Sequence, residues 1–248
     1  MRLLDRVAIV TGGGNGIGQC CCIKLAEHGV RVIVADIDAI AAEKTVAEIE
    51  NAGGSGRSFL ADLAKVTEIR NMVAFTVQEY GGVQILINNA GLLHTTDIED
   101  ITETEWDTLC DVNLKAAFFA CQAVIPHFKK NMYGRIVNIS SLAGRNGGFT
   151  NGVAYSATKA GVIGLSRGLA TRLAKYNINV NTVCPGTTRT NILDHLTPEK
   201  IKDLEMKIPL GRLGEVEDTA NMVRYLCSDE ASFITGATID VNGGMYIG

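Results

Sequence analysis

The chain has 248 residues, enough to bury a sizeable core and, for an α/β sheet, to form one domain spanning 1–248 rather than two. Hydrophobic residues make up 46% and charged residues 20%, and the net charge of -4 argues against a general nucleic-acid or anionic-membrane surface. Met1-Arg2-Leu3-Leu4-Asp5-Arg6 lacks a signal-peptide layout, no apolar stretch is expected to reach the ~18 residues of a membrane span, and the seven cysteines are odd in number with no Cys-x-x-Cys pair. A cytoplasmic protein with reduced core thiols is expected.

Short β-branched runs alternate with longer amphipathic segments along the chain. Val7–Val10 reads as the first strand and leads through a glycine cluster into a helical pattern over 16–28. Cys20, Cys21 and Cys22 in that helix point about 100° apart and cannot converge on one ion. His28, His94, His127 and His195 share no ligand spacing, so no metal site is expected. Further strands are read at Val30–Ala35, Val83–Ile87, Ile136–Ile139, Ile178–Val183 and Thr238–Val241, with helices over 39–52, 65–80, 102–131 and 153–175. Several strands are apolar without alternation, which suits strands covered on both faces. The β-α-β rhythm predicts a parallel sheet with right-handed crossovers and helices on both faces. The segment 186–211 breaks the rhythm; it should hold two short helices and serve as a substrate-binding loop or lid.

The cluster Thr11-Gly12-Gly13-Gly14-Asn15-Gly16-Ile17-Gly18 joins a strand to a helix, the context in which glycines permit close approach of a phosphate to helix N–H groups. Its Gly-x-x-x-Gly-x-Gly spacing differs from the standard dinucleotide fingerprint. Asp36, at the end of the next strand, can accept hydrogen bonds from the adenosine ribose hydroxyls and would repel a 2′-phosphate. Neither Asn15 nor Ile37 supplies a cation for that phosphate, so NAD is expected over NADP. Asp38 competes with Asp36 as the cap of the following helix.

Tyr155 and Lys159 stand one turn apart in an otherwise small and apolar helix. A free tyrosine keeps its proton to about pH 10. A positive charge nearby favours the phenolate and moves the hydroxyl toward acid/base work.

With Thr11–Gly18, Asp36, Asn88-Asn89-Ala90-Gly91, Asn113, Ser141, Tyr155, Lys159 and Pro185-Gly186 in order, the chain resembles the short-chain dehydrogenase/reductase family over essentially its whole length. The resemblance implies an α/β fold, a single doubly wound Rossmann-type domain with a seven-stranded parallel sheet, a nicotinamide cofactor and a homotetramer built as a dimer of dimers. It makes Asn113, Ser141, Tyr155 and Lys159 the catalytic set, with Asn113 in a bent helix and Ser140 the rival to Ser141. It assigns to the cofactor Gly12, Asn15, Gly16, Ile17, Gly18, Asp36 and Ile37. To these it adds Asp62 and Leu63 after the third strand, Asn89, Ala90, Gly91, Tyr155, Lys159, Pro185, Gly186, Thr188 and Thr190. Val241-Asn242-Gly243-Gly244 varies the commoner Val-Asp-Gly-Gly.

The loops Leu92–Thr96, Gly144–Asn151 and Asn191–Met206 are expected at the rim. His94, Ser141, Arg145, Asn146, Asn151 and Tyr155 are the candidate substrate contacts. Their polarity favours a sugar, polyol or similar secondary alcohol, interconverted with its ketone. A 3-oxoacyl-[acyl-carrier-protein] reductase is the alternative; such enzymes usually prefer NADPH and carry arginine where this chain has Asn15, and Ile-Thr-Arg-Asp where it has Leu92-Leu93-His94-Thr95. A silent NAD-binding regulator is the non-enzymatic alternative, disfavoured by the intact Ser141, Tyr155 and Lys159. Ala157, Gly161, Gly164 and Gly168 form a small-residue stripe on the Tyr155 helix, which suggests close packing in a subunit interface.

Overall fold

Aliphatic runs become strands here because each is covered on two sides. The computed structural model describes residues 3–148, 152–193 and 196–248. Among them, β1 (Val7–Thr11), β2 (Arg31–Asp36), β3 (Ser55–Leu60), β4 (Ile85–Asn88), β5 (Gly134–Ile139), β6 (Ile178–Pro185) and β7 (Thr238–Val241) form one sheet in the order β3-β2-β1-β4-β5-β6-β7. Every pairing is parallel. Side chains alternate between two core layers: Ala8, Val10, Val32, Val34, Ile85 and Ile87 face one, and Ile9, Ile33, Ala35 and Leu86 face the other.

The first layer is closed by α1 (Gly16–Ala26), α2 (Ala39–Asn51) and α9 (Val216–Cys227), through residues such as Leu25, Ala42, Ile49, Val223 and Leu226. The second is closed by α3 (Val66–Tyr80), α5 (Ala116–Asn131) and α7 (Val153–Leu173), through Ile69, Met72, Val124, Phe128 and Leu173. Strand order reverses between β1 and β4, so the loops after these two strands open a crevice at the carboxyl edge, where ligands of such sheets bind.

Six strands match the sequence pattern to within two residues, whereas β3 is visible in the sequence only through the family resemblance. It is an edge strand, Ser-Gly-Arg-Ser-Phe-Leu, with Arg57 and Leu60 exposed, so it carries no continuous apolar run. The helix expected over 102–131 is α4 (Glu103–Cys110) joined to α5 through a π-helical turn at Asp111–Lys115. Asn113 sits in that turn, where the hydrogen-bond ladder widens by one residue. One expectation is corrected here: Glu103–Asn131 contains an 18-residue window of mean hydropathy 1.3, long and apolar enough to cross a membrane by length and composition. In this fold it lies on the sheet through Ala116, Ala120, Cys121, Val124 and Phe128. The 186–211 segment contains a 3-10 turn at Asn191–Leu193 and α8 (Pro198–Met206). A short α6 (Ala143–Asn146) follows β5.

Candidate active site

The glycine loop is stitched to the neighbouring strand end. Thr11 Oγ1 accepts the N–H groups of Asn89 and Ala90 at 3.0 and 3.1 Å, and Asn89 Nδ2 donates to the carbonyls of Thr11 and Gly12, both at 3.0 Å. Gly12 has φ +62° and a Cβ there would lie 2.9 Å from Ala90 Cα; a Cβ at Gly18 would collide with the Gly12 carbonyl. Asn15 precedes α1 without capping it by its side chain, and the first turn of α1 holds no acid. Its N–H groups are therefore available to an anion.

Asp36 is fixed beside that loop. Its Oδ2 accepts Gly14 N–H at 2.8 Å and its Oδ1 accepts Asp38 N–H at 3.0 Å. Asp38, by accepting Ala41 N–H at 3.1 Å, is the residue that caps α2, so the cap does not require Asp36. Ile37 is exposed beyond it. After β3, Asp62 pairs with Lys65 at 3.1 Å, a hydrogen bond that holds its carboxyl below the usual range, and Leu63 is buried. The glycine cradle, open helix terminus and pinned carboxylate fit a dinucleotide. Thr190 bends back over the loop, since a Cβ at Gly16 would lie 3.4 Å from Thr190 Cγ2. Pro185 ends β6, Gly186 packs so tightly that a Cβ would meet Asn242 Cα at 2.9 Å, and Thr188 Oγ1 donates to Gly186 O at 3.2 Å.

Three consecutive residues at the end of β5 address the Tyr155 helix. Lys159 Nζ donates to the Ile139 carbonyl at 3.1 Å, Ser140 Oγ donates to the Lys159 carbonyl at 2.8 Å, and Ser141 influences Tyr155 by hydrogen bonding. The Ser140 hydroxyl is thus buried and committed, which leaves the half-exposed Ser141 as the serine beside the phenol. Burial lowers Lys159 to about 8. Tyr155 is pushed above its usual value by burial, with Ser141 working in the opposite direction. The expected lowering by Lys159 is not the governing effect in the ligand-free protein: Nζ lies 5.8 Å from the ring centroid, and desolvation of the phenol dominates.

Asn113, 2% exposed, accepts Leu92 N–H at 2.7 Å through Oδ1 and donates through Nδ2 to Leu92 O at 3.0 Å and Thr158 Oγ1 at 3.2 Å. A side chain at Gly91 would start 3.1 Å from Lys159 Nζ and 3.2 Å from Asn113 Oδ1. The four candidate catalytic residues and the Asn89–Gly91 segment are therefore one assembly. Sequence reasoning missed two of its members: the Thr11 hydroxyl, signalled by a threonine at a strand end before glycine, and Thr158, which lies inside the Tyr155–Lys159 turn.

The candidate substrate residues separate. His94 approaches Thr96 Oγ1 at 2.8 Å and Glu105 at 3.4 Å, and its carbonyl accepts Gly152 N–H at 2.9 Å, tying the rim to the start of α7. Asn146 accepts Gly148 N–H at 2.9 Å within its own turn. The Arg145 guanidinium pairs with Asp240 at 3.2 Å and lies 4.8 Å from the Tyr246 ring. Asn151 lies outside the described residues.

A parallel sheet switching at β1 and β4, with a glycine loop, an acid at the end of β2 and a serine–tyrosine–lysine cluster, defines a nicotinamide-dependent oxidoreductase architecture. Residues 12–246 match the family model described as Enoyl-(Acyl carrier protein) reductase. The chain is 38% identical over 250 residues to 3-oxoacyl-[acyl-carrier-protein] reductase FabG of Thermotoga maritima, covering all of both chains. It is 37% identical over 244 residues to (2S)-[(R)-hydroxy(phenyl)methyl]succinyl-CoA dehydrogenase subunit BbsD of Thauera aromatica, covering 98% of each. The crystal structure of gox2181 is 36% identical with TM-score 0.94, over 98% of this chain and 96% of that one. The chain belongs to the short-chain dehydrogenase/reductase family.

Proposed function

We propose that the protein interconverts a 3-hydroxyacyl thioester and its 3-oxoacyl thioester with NAD. The thioester is favoured over the sugar or polyol suggested by rim polarity. Two full-length relatives carry names that place an oxidised or hydroxylated carbon on an acyl-carrier or CoA thioester. Leu92, Leu93, Met206 and Leu210, exposed on the 92–96 and 186–211 segments, offer apolar surface for an acyl chain, and Arg145 is withdrawn into the fold. The observation that carries the chemistry is the convergence of Ser141, Tyr155 and Lys159 at the end of β5.

A nicotinamide cofactor held by the glycine loop and Asp36 would supply hydride acceptance for oxidation and hydride donation for reduction. Ser141 hydrogen-bonds the substrate oxygen and Tyr155 takes its proton in oxidation or supplies it in reduction. The raised Tyr155 keeps its proton in the ligand-free protein, the form that reduction requires. For oxidation, the charge available to favour its phenolate is the neighbouring Lys159. Asn113 holds Leu92 and the rim in place, and Asp36 selects NAD by binding the ribose hydroxyls and repelling a 2′-phosphate.

The assembly proposed is a homotetramer, with the small-residue stripe of α7 at a subunit contact. A Cβ at Gly161 would meet the chain's own Leu114 at 2.9 Å, whereas one at Gly164 meets nothing within 4 Å and one at Gly168 only Arg172 Nη1 at 3.5 Å. The outer part of the stripe is therefore open to a second copy.

The test is a panel of 3-hydroxyacyl thioesters, sugars and polyols with NAD and NADP. Turnover confined to sugars or polyols rejects the thioester, and turnover confined to NADP rejects the role of Asp36. Tyr155→Phe should abolish turnover while NADH still binds; activity near that of the wild type rejects the proton-transfer assignment.

A further inference from the structure

Lys159 is gripped at both ends by adjacent residues of one strand. Its ammonium donates to the Ile139 carbonyl at 3.1 Å, and its own carbonyl accepts Ser140 Oγ at 2.8 Å. Ser140 is itself anchored in the sheet, its N–H donating to Val183 O at 2.8 Å, and it is 3% exposed. The same spot is closed sterically by Gly144 of α6. A Cβ there would lie 2.8 Å from both the Lys159 carbonyl carbon and Ser140 Oγ, and 3.0 Å from Ala160 N. Backbone on one side and a bonded hydroxyl on the other leave no room for a methyl group.

We infer that Ser140 and Gly144 are positioning residues that set where the Tyr155–Lys159 turn of α7 sits against the end of β5. Both act through contact with the Lys159 backbone. Ser141 follows Ser140 directly, so the bond from Ser140 to the Lys159 backbone fixes the helix against the very strand end that carries the substrate-holding hydroxyl. Tyr155 and Lys159 lie on one turn of a rigid helix, and a displacement of that turn carries both away from Ser141 together. A serine at 140 is in this sense a spacer of fixed length: alanine removes the bond, and a methyl group at 144 pushes from the opposite side.

This inference rests on the Tyr155 acid/base reading above, and the experiment separates the two. kcat, KM and the pH profile of kcat would be measured for Ser140→Ala and Gly144→Ala, with thermal melting alongside and well below the melting temperature. Displacement by a fraction of an ångström to one ångström is expected to lower kcat by about 10- to 100-fold with little change in KM for the substrate. The limb of the pH profile that reports the tyrosine–lysine pair should shift in both variants. In the double variant the loss should be smaller than the product of the single losses, because both act on one contact. Ser140→Cys, which keeps a weak donor at the same atom, should fall between serine and alanine, and takes the place of Ser140→Ala if that variant does not fold. A folded Ser140 variant with wild-type kcat and an unmoved pH profile, whatever its melting temperature, overturns the inference. If Tyr155→Phe remains active, it is the underlying reading that fails.

Discussion

Replacing Lys159 with methionine should make the ligand-free protein more stable while destroying its activity. The ammonium is 4% exposed, has the Ile139 carbonyl at 3.1 Å as a hydrogen-bond partner, and titrates at about 8 instead of 10.5 because burial disfavours its charged form. A lysine whose folded value is depressed destabilises the fold fully below about pH 8. Between there and 10.5 the unfolded chain binds more protons, so stability rises with pH. The relief reached at pH 10 is about 2–3 kcal/mol. Methionine has nothing to titrate. At pH 7 it removes the buried charge but also a charged hydrogen bond worth about 1.5–3 kcal/mol, leaving a net gain of about 1 kcal/mol. Tyr155 and Cys184, the titratable neighbours, are both pushed upward by burial, so both keep their protons at pH 7 and 8.5, where the comparison is cleanest. Urea unfolding at pH 7, 8.5 and 10, at one protein concentration and without cofactor, reads the difference. The advantage of methionine should vanish and reverse by pH 10. A difference that stays constant over that range to within about 0.5 kcal/mol would mean that Lys159 is not titrating as a desolvated group, and the reasoning fails.

Asp36→Ser combined with Ile37→Arg should move the ratio of kcat/KM from NAD toward NADP by about 100-fold, since the change removes a repelling carboxylate and adds a phosphate-binding cation; an unchanged ratio would place cofactor choice elsewhere. Arg145→Ala should destabilise the fold by about 3 kcal/mol, because Asp240 is left partly buried and unpaired. Arg145→Ala with Asp240→Asn should recover part of that loss in denaturant melts, and no recovery would show that the ion pair is not what Arg145 contributes.

The parts of the molecule legible in the sequence are those where one residue meets a demand that few others satisfy. Gly12 needs a positive φ, Gly18 cannot carry a Cβ, and Asp36 ends the strand beside β1 where it meets the glycine loop, so each leaves a mark at a readable spacing. Strands buried on two faces announce themselves by continuous apolar runs, and β3 does not because its edge position leaves Arg57 and Leu60 in solvent. Arg145 answers to a contact that its sequence neighbourhood does not show. A cationic residue on a loop beside the site reads as a ligand contact, and its partner within the fold, Asp240, comes from the last strand of the sheet, far along the chain. The choice between Ser140 and Ser141 was half legible: alternation separates their faces, but only the 2.8 Å bond to the Lys159 carbonyl says what Ser140 does. Substrate identity leaves the weakest trace, because apolar and polar rim residues are mixed on the loops.

The π-helical turn at Asp111–Lys115 gives the long rod between Thr102 and Asn131 one residue more than a regular helix would need. Removing any single residue from the turn would let the hydrogen-bond ladder close as an ordinary helix. Because the wide turn absorbs its extra residue locally, the two halves of the rod would keep nearly their present phase and separation, and what would be lost is the turn that carries Asn113. Glu105 would stay beside His94, while the contacts of Asn113 with Leu92 and Thr158 would be broken. The rod thus carries one residue beyond what its span needs, and that residue goes to aiming Asn113 at Leu92 and Thr158, so a deletion that smooths the helix should spare the fold and remove the aim.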